Sequence, residues 1–448
     1  MQPFRFHVFV CTQQKPEGVP SCPAAGSFAV LSELDRAVQA RGLGHDVQLT
    51  TCGCMGLCDE GPVMVVYPEG SWYRHVGPND VAEIVSAHLE SGRVVDRLAW
   101  KDADAMKAMS LDHGEKFRAT MAARDKAGIL PDPLEQTIRG FMPSRCILTA
   151  LEFDIFTAIR GGASAEQIAV TINASSRGVS MLLNALVSLR LLTKTGDRYE
   201  NTPDSARFFT QESKDNQRNG LLHTANIWHR WSTLTEAVRH GSRVPIDRDT
   251  AQWTKNFISG MQRNAKNRAP LIVNALGTRG IRRILDLGGG SGSYSIAFAK
   301  ASPEVRCDLL DLPEVIPLTS DYVEKAGVSS QIRLLAGDML RDDLGSGYDL
   351  VMLNAICHMF SEQQNRELFH RIRQALAPGG RLTVQDFVLN PDKAGPQHAA
   401  LFALNMLVGT DAGSTYSEPE YTAWMHSAGF SSVSRIRLPG PSDLIVGQ

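Results

Sequence analysis

Hydrophobic and polar positions change rhythm twice along this chain. In the first hundred residues, apolar runs such as RFHVFVCT, VQLTTC and PVMVVYPEG read as strands. SFAVLSELDRAVQARGL has the three-and-four spacing of an amphipathic helix, and DVAEIVSAHLESG reads as a closing helix stopped by glycine. A small α/β domain is predicted over 1–98, followed over 99–133 by a polar, charged stretch that reads as a partly helical linker. From 134 to 245 the rhythm is helical: LEFDIFTAIRGG, SAEQIAVTINAS and VSMLLNALVSLRLL precede a hairpin across Thr195–Gly196–Asp197. Three helices and a hairpin make a winged helix. From 246 to 448, strands (RRILDLGGG, VRCDLLDL, IRLLAGDM, YDLVMLNAI, GRLTVQDFVL, SSVSRIRL) alternate with helices. Such alternation predicts an α/β domain with a parallel, doubly wound sheet.

A length of 448 residues suits two or three domains. With 43% hydrophobic and 21% charged residues, wholesale disorder is excluded. The net charge of -2 gives no bias toward nucleic acid or an anionic membrane, and no long apolar run predicts a membrane span. The opening MQPFRFHVFVCTQQ is too short and too interrupted for a signal peptide, so a cytoplasmic protein is expected. The winged helix carries little positive charge on its third helix, where phosphate contacts would need it. Packing or dimerisation is its expected role, ahead of DNA binding.

The cysteines sharpen the first domain. Five of eight lie within 58 residues: Cys11, Cys22, Cys52, Cys54 and Cys58. Cys146, Cys307 and Cys357 are scattered and read as small packing residues. A local cluster without an export signal reads as a metal site rather than as bridges. Cys11 and Cys22 bracket ten residues after the first strand, while Cys54 and Cys58 bracket three in a tight loop. Two thiolate pairs on two loops suit zinc or an iron–sulfur cluster, and this spacing favours iron–sulfur. Glycines at 53, 56 and 61 let backbone amides approach the sulfurs. No cysteine follows Cys58 at radical-SAM spacing. The strand ending in Cys11, SCPAAGS, and CMGLCDEGPVMVVYPEG with its following helix resemble the thioredoxin-like [2Fe-2S] ferredoxins over residues 5–98. The resemblance implies a [2Fe-2S] cluster on Cys11, Cys22, Cys54 and Cys58, and an electron-transfer partner. Cys52 departs from the pattern, either as a spare thiol or as a shifted ligand.

The candidate chemistry of the last domain starts at LDLGGGSG, between an apolar strand and a helix. A glycine turn there lets a ligand meet backbone amides at the helix N-terminus. Asp286, just before the turn, suits an ammonium. Asp311, ending the second strand 25 residues later, suits both hydroxyls of a ribose. Asp338 and Met339, ending the third, suit an adenine amino group and ring. With NIWHRWSTLTEAVRHG, FISGMQRNAKNRAP, DLPEV, NAICHMFSE and TAWMHSAGF, these pieces resemble class I S-adenosylmethionine (SAM)-dependent methyltransferases. Over 134–448 they resemble the acetylserotonin/caffeic-acid type of O-methyltransferase.

The resemblance implies SAM bound by Gly288, Gly290, Asp311, Asp338 and Met339, and a homodimer built by the helical domain. It also implies a general base at His358, oriented by Asp386. Imidazole has a pKa suited to accepting a hydroxyl proton as oxygen attacks the methyl. The family's second acidic position falls at Thr415, with Glu418 and Glu420 nearby, and its often basic position at 354 is Asn. His223, Trp228, Trp231, Phe257, Met261 and Asn264 lie on helices that wall the acceptor pocket in such proteins. A flat hydroxylated aromatic or polycyclic acceptor is expected, with carbon or sulfur as the alternative methyl acceptors. A redox protein whose methyltransferase-like part only binds ligand, and a cluster that senses redox state, also stay open.

Overall fold

The computed structural model describes residues 3–16, 19–246 and 250–448, the side chains of 250–252 excepted. The chain divides into two compact units, Met1–Gly140 and Phe141–Gln448.

The first unit is built on five strands: β1 (Phe6–Cys11), β2 (Val47–Cys52), β3 (Met64–Tyr67), β4 (Ser71–Tyr73) and β5 (Ala99–Trp100), in the order β2-β1-β3-β4-β5. β1 runs parallel to β2 and antiparallel to β3. The crossover is the helix Ser27–Ala40, whose Val30, Leu34 and Val38, four apart, are buried on the sheet beside Phe6, Val8 and Val10. The parallel register pairs Cys11 with Cys52, so β1 and β2 end at one edge. That common ending carries the cysteine loops. The stretch read as a partly helical linker is the continuous 24-residue helix Ala103–Lys126. Asp102 caps it by accepting from the Ala105 N–H.

In the second unit, helices Phe141–Glu152, Ile155–Ile159, Ala165–Thr171 and Ser176–Ser188 precede a three-stranded wing. Its strands are β6 (Ala163–Ser164), β7 (Leu192–Thr195) and β8 (Arg198–Asn201), with β8 in the middle. Gly196 closes the hairpin at a φ of 60°, which a side chain would disfavour. After helices Arg218–Trp231 and Thr250–Leu276 comes the main sheet. Its strands are β9 (Arg283–Leu287), β10 (Arg306–Asp311), β11 (Ile332–Ala336), β12 (Tyr348–Asn354) and β13 (Leu376–Asp386). Short β14 (Val388–Leu389) and β15 (Tyr416–Ser417) pair separately, and β16 (Val433–Ile436) and β17 (Asp443–Gly447) complete the sheet.

The order β11-β10-β9-β12-β13-β17-β16 is parallel up to β13. β17 then inserts antiparallel between β13 and β16, which departs from the all-parallel expectation. Apart from Arg283, every residue of β9 is buried, as expected of a parallel strand covered on both faces. The strand order reverses at β9, and the crevice outside the carboxyl ends of such strands is where open α/β sheets bind ligands. Among the described residues, no helix is long and apolar enough to cross a membrane.

Candidate functional site

The turn after β9 is forced by glycine. Gly288, Gly290 and Gly292 take φ of 66°, 55° and 71°. A Cβ on Gly288 would lie 2.3 Å from Ile356 Cδ1 and 2.9 Å from Met339 Cε, so both side chains close on the turn. Asp311 holds the far side: its Oδ2 accepts from the Gly290 N–H and its Oδ1 from the Leu312 N–H, both at 2.7 Å. Burial raises its pKa above the ordinary carboxylate range. Asp286 is fully buried, and its Oδ2 accepts from Ser295 at 2.7 Å. Its Oδ1 makes no well-formed hydrogen bond, and the Asn354 side chain at the end of β12, which lies near this carboxyl, makes none either. Burial pushes Asp286 up to about 6 against the Ser295 hydrogen bond. An orphaned buried carboxylate oxygen beside a glycine cradle fits a ligand that is cationic at one end and hydroxylated further along. Asp338 turns an oxygen to the Leu340 N–H and lies 3.5 Å from Arg341, while Met339 packs inward.

Beyond β12 the chain bends through Ala355 at a φ of 58°, a position that stores strain in a residue other than glycine. The bend delivers Ile356 to the cradle and His358 to the end of β13. His358 Nδ1 lies 2.7 Å from Asp386 Oδ1, and the pair is 5% and 1% exposed. The His358 N–H and the Tyr421 hydroxyl donate to the other carboxylate oxygen at 3.1 and 3.4 Å. In the tautomer whose Nδ1–H donates to Asp386, Nε2 is left as the acceptor. No described residue bonds it. The ring stands edge-on to Phe402, 4.8 Å away, and Phe402 lies 4.1 Å from Phe387. Glu420 is spent on Ser417 and Lys393, and Glu418 lies 3.2 Å from Arg435. Thr415 donates to the Ala399 carbonyl. None of these three bonds His358, and the side chain that reaches Asp386 besides it is Tyr421.

The expected acceptor-wall residues divide. His223 stands edge-on to Trp253 and Phe257 at 5.8 and 5.2 Å, with its Nδ1 buried and unpartnered. Burial, with Arg230 nearby, pushes it down to about 4, so it is neutral. Trp231 Nε1 donates to Asn405 on the helix Gln397–Gly409, which also carries Phe402. Met261 is half-buried. Trp228 instead packs on Phe141, and Asn264 is exposed on the helix Thr250–Leu276. Aromatic spacing marks these helices as amphipathic but does not say which side faces the pocket.

The cysteine loops converge at the end of β1 and β2. Cys11, Cys22 and Cys58 are buried, Cys54 is exposed and Cys52 half-buried. Cys54 and Cys58 sulfurs are 3.3 Å apart, and the Gly56 N–H donates to Cys54 at 3.3 Å. A Cβ on Gly61 would lie 3.1 Å from Cys22 Sγ, so the backbone passes close to the sulfurs there. The Cys22 thiol donates to Cys11, which brings Cys11 down to about 6 and drives Cys22 up. The pair yields one proton easily and resists losing the second. Burial pushes Cys58 up to about 11, opposed by Lys15. Four thiols on two loops, with backbone N–H groups aimed at sulfur, fit an iron–sulfur or zinc site. Cys307 and Cys357 are buried and Cys146 half-buried.

Residues 231–431 match the O-methyltransferase domain family, and 135–211 match the O-methyltransferase dimerisation domain. A 3-hydroxy-5-methyl-1-naphthoate 3-O-methyltransferase of Streptomyces sahachiroi is 31% identical over 343 residues, which cover 73% of this chain and 99% of that one. The tetracenomycin polyketide synthesis 8-O-methyl transferase TcmO of Streptomyces glaucescens is 30% identical, over 71% of this chain and 96% of its own length. Human N-acetylserotonin methyltransferase, solved with SAM, superposes with a TM-score of 0.61 at 26% identity, over 71% of this chain and 96% of its own. The chain belongs to this family of SAM-dependent O-methyltransferases, with the α/β methyltransferase fold behind a helical dimerisation domain. Both family matches begin at or after residue 135.

Proposed function

We propose that this enzyme transfers the SAM methyl group to a hydroxyl of an aromatic or polycyclic acceptor, with His358 as general base. The observation that carries the reading is the buried His358–Asp386 pair, one short bend from the glycine cradle. SAM supplies an electrophilic methyl on a sulfonium. The chain supplies position and a proton acceptor: Asp286 for the ammonium, Gly288 and Gly290 for close approach, Asp311 for the ribose hydroxyls, and Asp338 and Met339 for the adenine. Asp386 holds the imidazole in the tautomer whose Nε2 takes the acceptor's proton as its oxygen attacks. Phe387 and Phe402 offer the flat apolar wall, and His223 a neutral polar group. The naphthoate and tetracenomycin relatives support a fused-ring acceptor, and the dimerisation match supports a homodimer. Assays of S-adenosylhomocysteine formation over a panel of phenols, hydroxynaphthoates, aliphatic alcohols and thiols test this. Turnover is expected with the hydroxylated aromatics. Turnover with thiols alone would overturn it.

Asp286 gives the binding step a pH dependence. Its carboxyl is ionised above about 6, and a proton competes with the ammonium below it. SAM affinity is therefore expected to fall as pH drops through that value, by up to about tenfold per pH unit. Calorimetry between pH 5 and 8 reads this, and Asp286→Asn is expected to flatten the profile. A flat profile in the unmutated enzyme contradicts the ammonium role.

We also propose that 1–98 is a thioredoxin-like ferredoxin domain, with 134–245 dimerising and 246–448 catalytic. Cys11, Cys22, Cys54 and Cys58 would hold a [2Fe-2S] cluster that exchanges electrons with a partner or reports redox state. The convergence of two thiol pairs at one strand edge supports this. Protein prepared without oxygen is expected to carry about two irons and two sulfides per chain. Stoichiometric zinc without sulfide would overturn the cluster.

A further inference from the structure

The helix Ala103–Lys126 brings a donor of another kind to the cysteine loops. Met106, Met109 and His113 lie three and four apart on one face. Met106 and Met109 pack on the apolar group formed by Cys11, Cys22, Leu57, Val63 and Trp100. One turn further on, His113 is buried at 8% exposure. The helix touches the Cys54–Cys58 loop itself: a Cβ on Gly56 would collide with Ser110, 2.1 Å from its hydroxyl. The sulfurs of Cys54 and Cys58 and a ring nitrogen of His113 therefore all lie within 4.8 Å of one another. Donors that close can share one metal ion.

An iron of a [2Fe-2S] cluster has four positions, two taken by the bridging sulfides and two left for protein. Here three protein donors meet two positions. Cys58 is buried in the short turn Cys58–Glu60, whereas Cys54 is exposed. We propose that His113 is a further ligand of this iron, competing with Cys54 for one position while Cys58 keeps the other. The inference rests on the cluster reading above. In the exchange an Fe–Sγ bond breaks and an Fe–N bond forms. The Cys54 sulfur leaves with its electron pair and takes a proton from water, and neither iron changes oxidation state. A neutral imidazole replaces an anionic thiolate, so the site loses one negative charge and its reduction potential rises, as it does when histidine replaces cysteine in other two-iron centres. Lys15, whose ammonium meets His113 Nε2 and lies near both thiols, stands where it stabilises a departing thiolate.

The test uses the full chain prepared anaerobically, with iron and acid-labile sulfide counted and the reduced cluster read by pulsed EPR for nitrogen hyperfine coupling. Cys54→Ala alters an exposed side chain and is expected to keep about half or more of the unmutated protein's iron and sulfide, with strong coupling to an imidazole nitrogen. Cys54→Ala with His113→Ala is expected to hold about tenfold less cluster. His113→Asn alone is expected to keep its cluster on four cysteines, which shows that the helix tolerates the change. A Cys54→Ala protein as empty as the double variant, or one holding its cluster without nitrogen coupling, overturns the role of His113. If the unmutated protein carries no iron and sulfide, the cluster reading fails and the ligand falls with it.

Discussion

His358→Gln is expected to lower turnover about 10²- to 10⁴-fold, the usual contribution of a positioned general base. SAM affinity is expected to change by less than about twofold, because glutamine fills the space but its amide is no base. The size of the effect follows from how tightly the imidazole is held. Asp386 accepts a hydrogen bond from Nδ1–H at 2.7 Å, the Tyr421 hydroxyl and the His358 N–H bond the other carboxylate oxygen, and Phe402 backs the ring. Single-turnover transfer at saturating SAM, beside equilibrium SAM binding, separates the two quantities. Equal turnover in both proteins would remove the base and leave methyl transfer to positioning alone.

The second large effect is expected at Asp311. Asp311→Ala removes the carboxylate proposed to hold the ribose hydroxyls and also strips the Gly290 and Leu312 N–H groups of their acceptor. Each hydrogen bond to a charged group is worth about 1.5–3 kcal/mol, so SAM affinity is expected to fall about 100-fold or more. Turnover at saturating SAM is expected to fall far less, because the His358–Asp386 pair is untouched. Asp311→Asn keeps one acceptor oxygen and is expected to fall between. Calorimetric titration with SAM reads the loss, and unmutated affinity in the alanine variant would contradict the ribose assignment.

Much of this molecule was legible in the sequence wherever the signal was local. The glycine turn, Asp311 at the end of β10, Asp338 just past β11 and the Cys54–Cys58 pair each occupy a few residues where one element hands over to the next. β9 to β13 were equally plain, since each is a short apolar run between helical stretches. β17 was missed: DLIVG is brief, follows a Gly-Pro-Ser turn, and pairs with residues some sixty positions earlier. The helix Ala103–Lys126 read as linker because the apolar side chains it lays on the cysteine-loop cluster are Met106 and Met109, a single turn of a 24-residue helix and too few to register as a stripe.

Contacts made across the fold were the least visible. Tyr421 reaches Asp386 from 35 residues away, and His113 reaches Cys58 from 55. No spacing rule joins either pair. Glu420 shows the reverse error, since a nearby carboxylate is no partner once a helix start has claimed it.

The measurement that bears most directly on the central claim follows labelled methyl from SAM into a hydroxynaphthoate acceptor. It uses full-length, anaerobically prepared enzyme, with the product's methylated atom identified by mass and NMR. The label is expected on oxygen as a methyl ether, with one S-adenosylhomocysteine formed for each ether and the yield abolished by methylating the acceptor hydroxyl beforehand. Label on ring carbon, or S-adenosylhomocysteine formed without any methylated acceptor, would contradict the account.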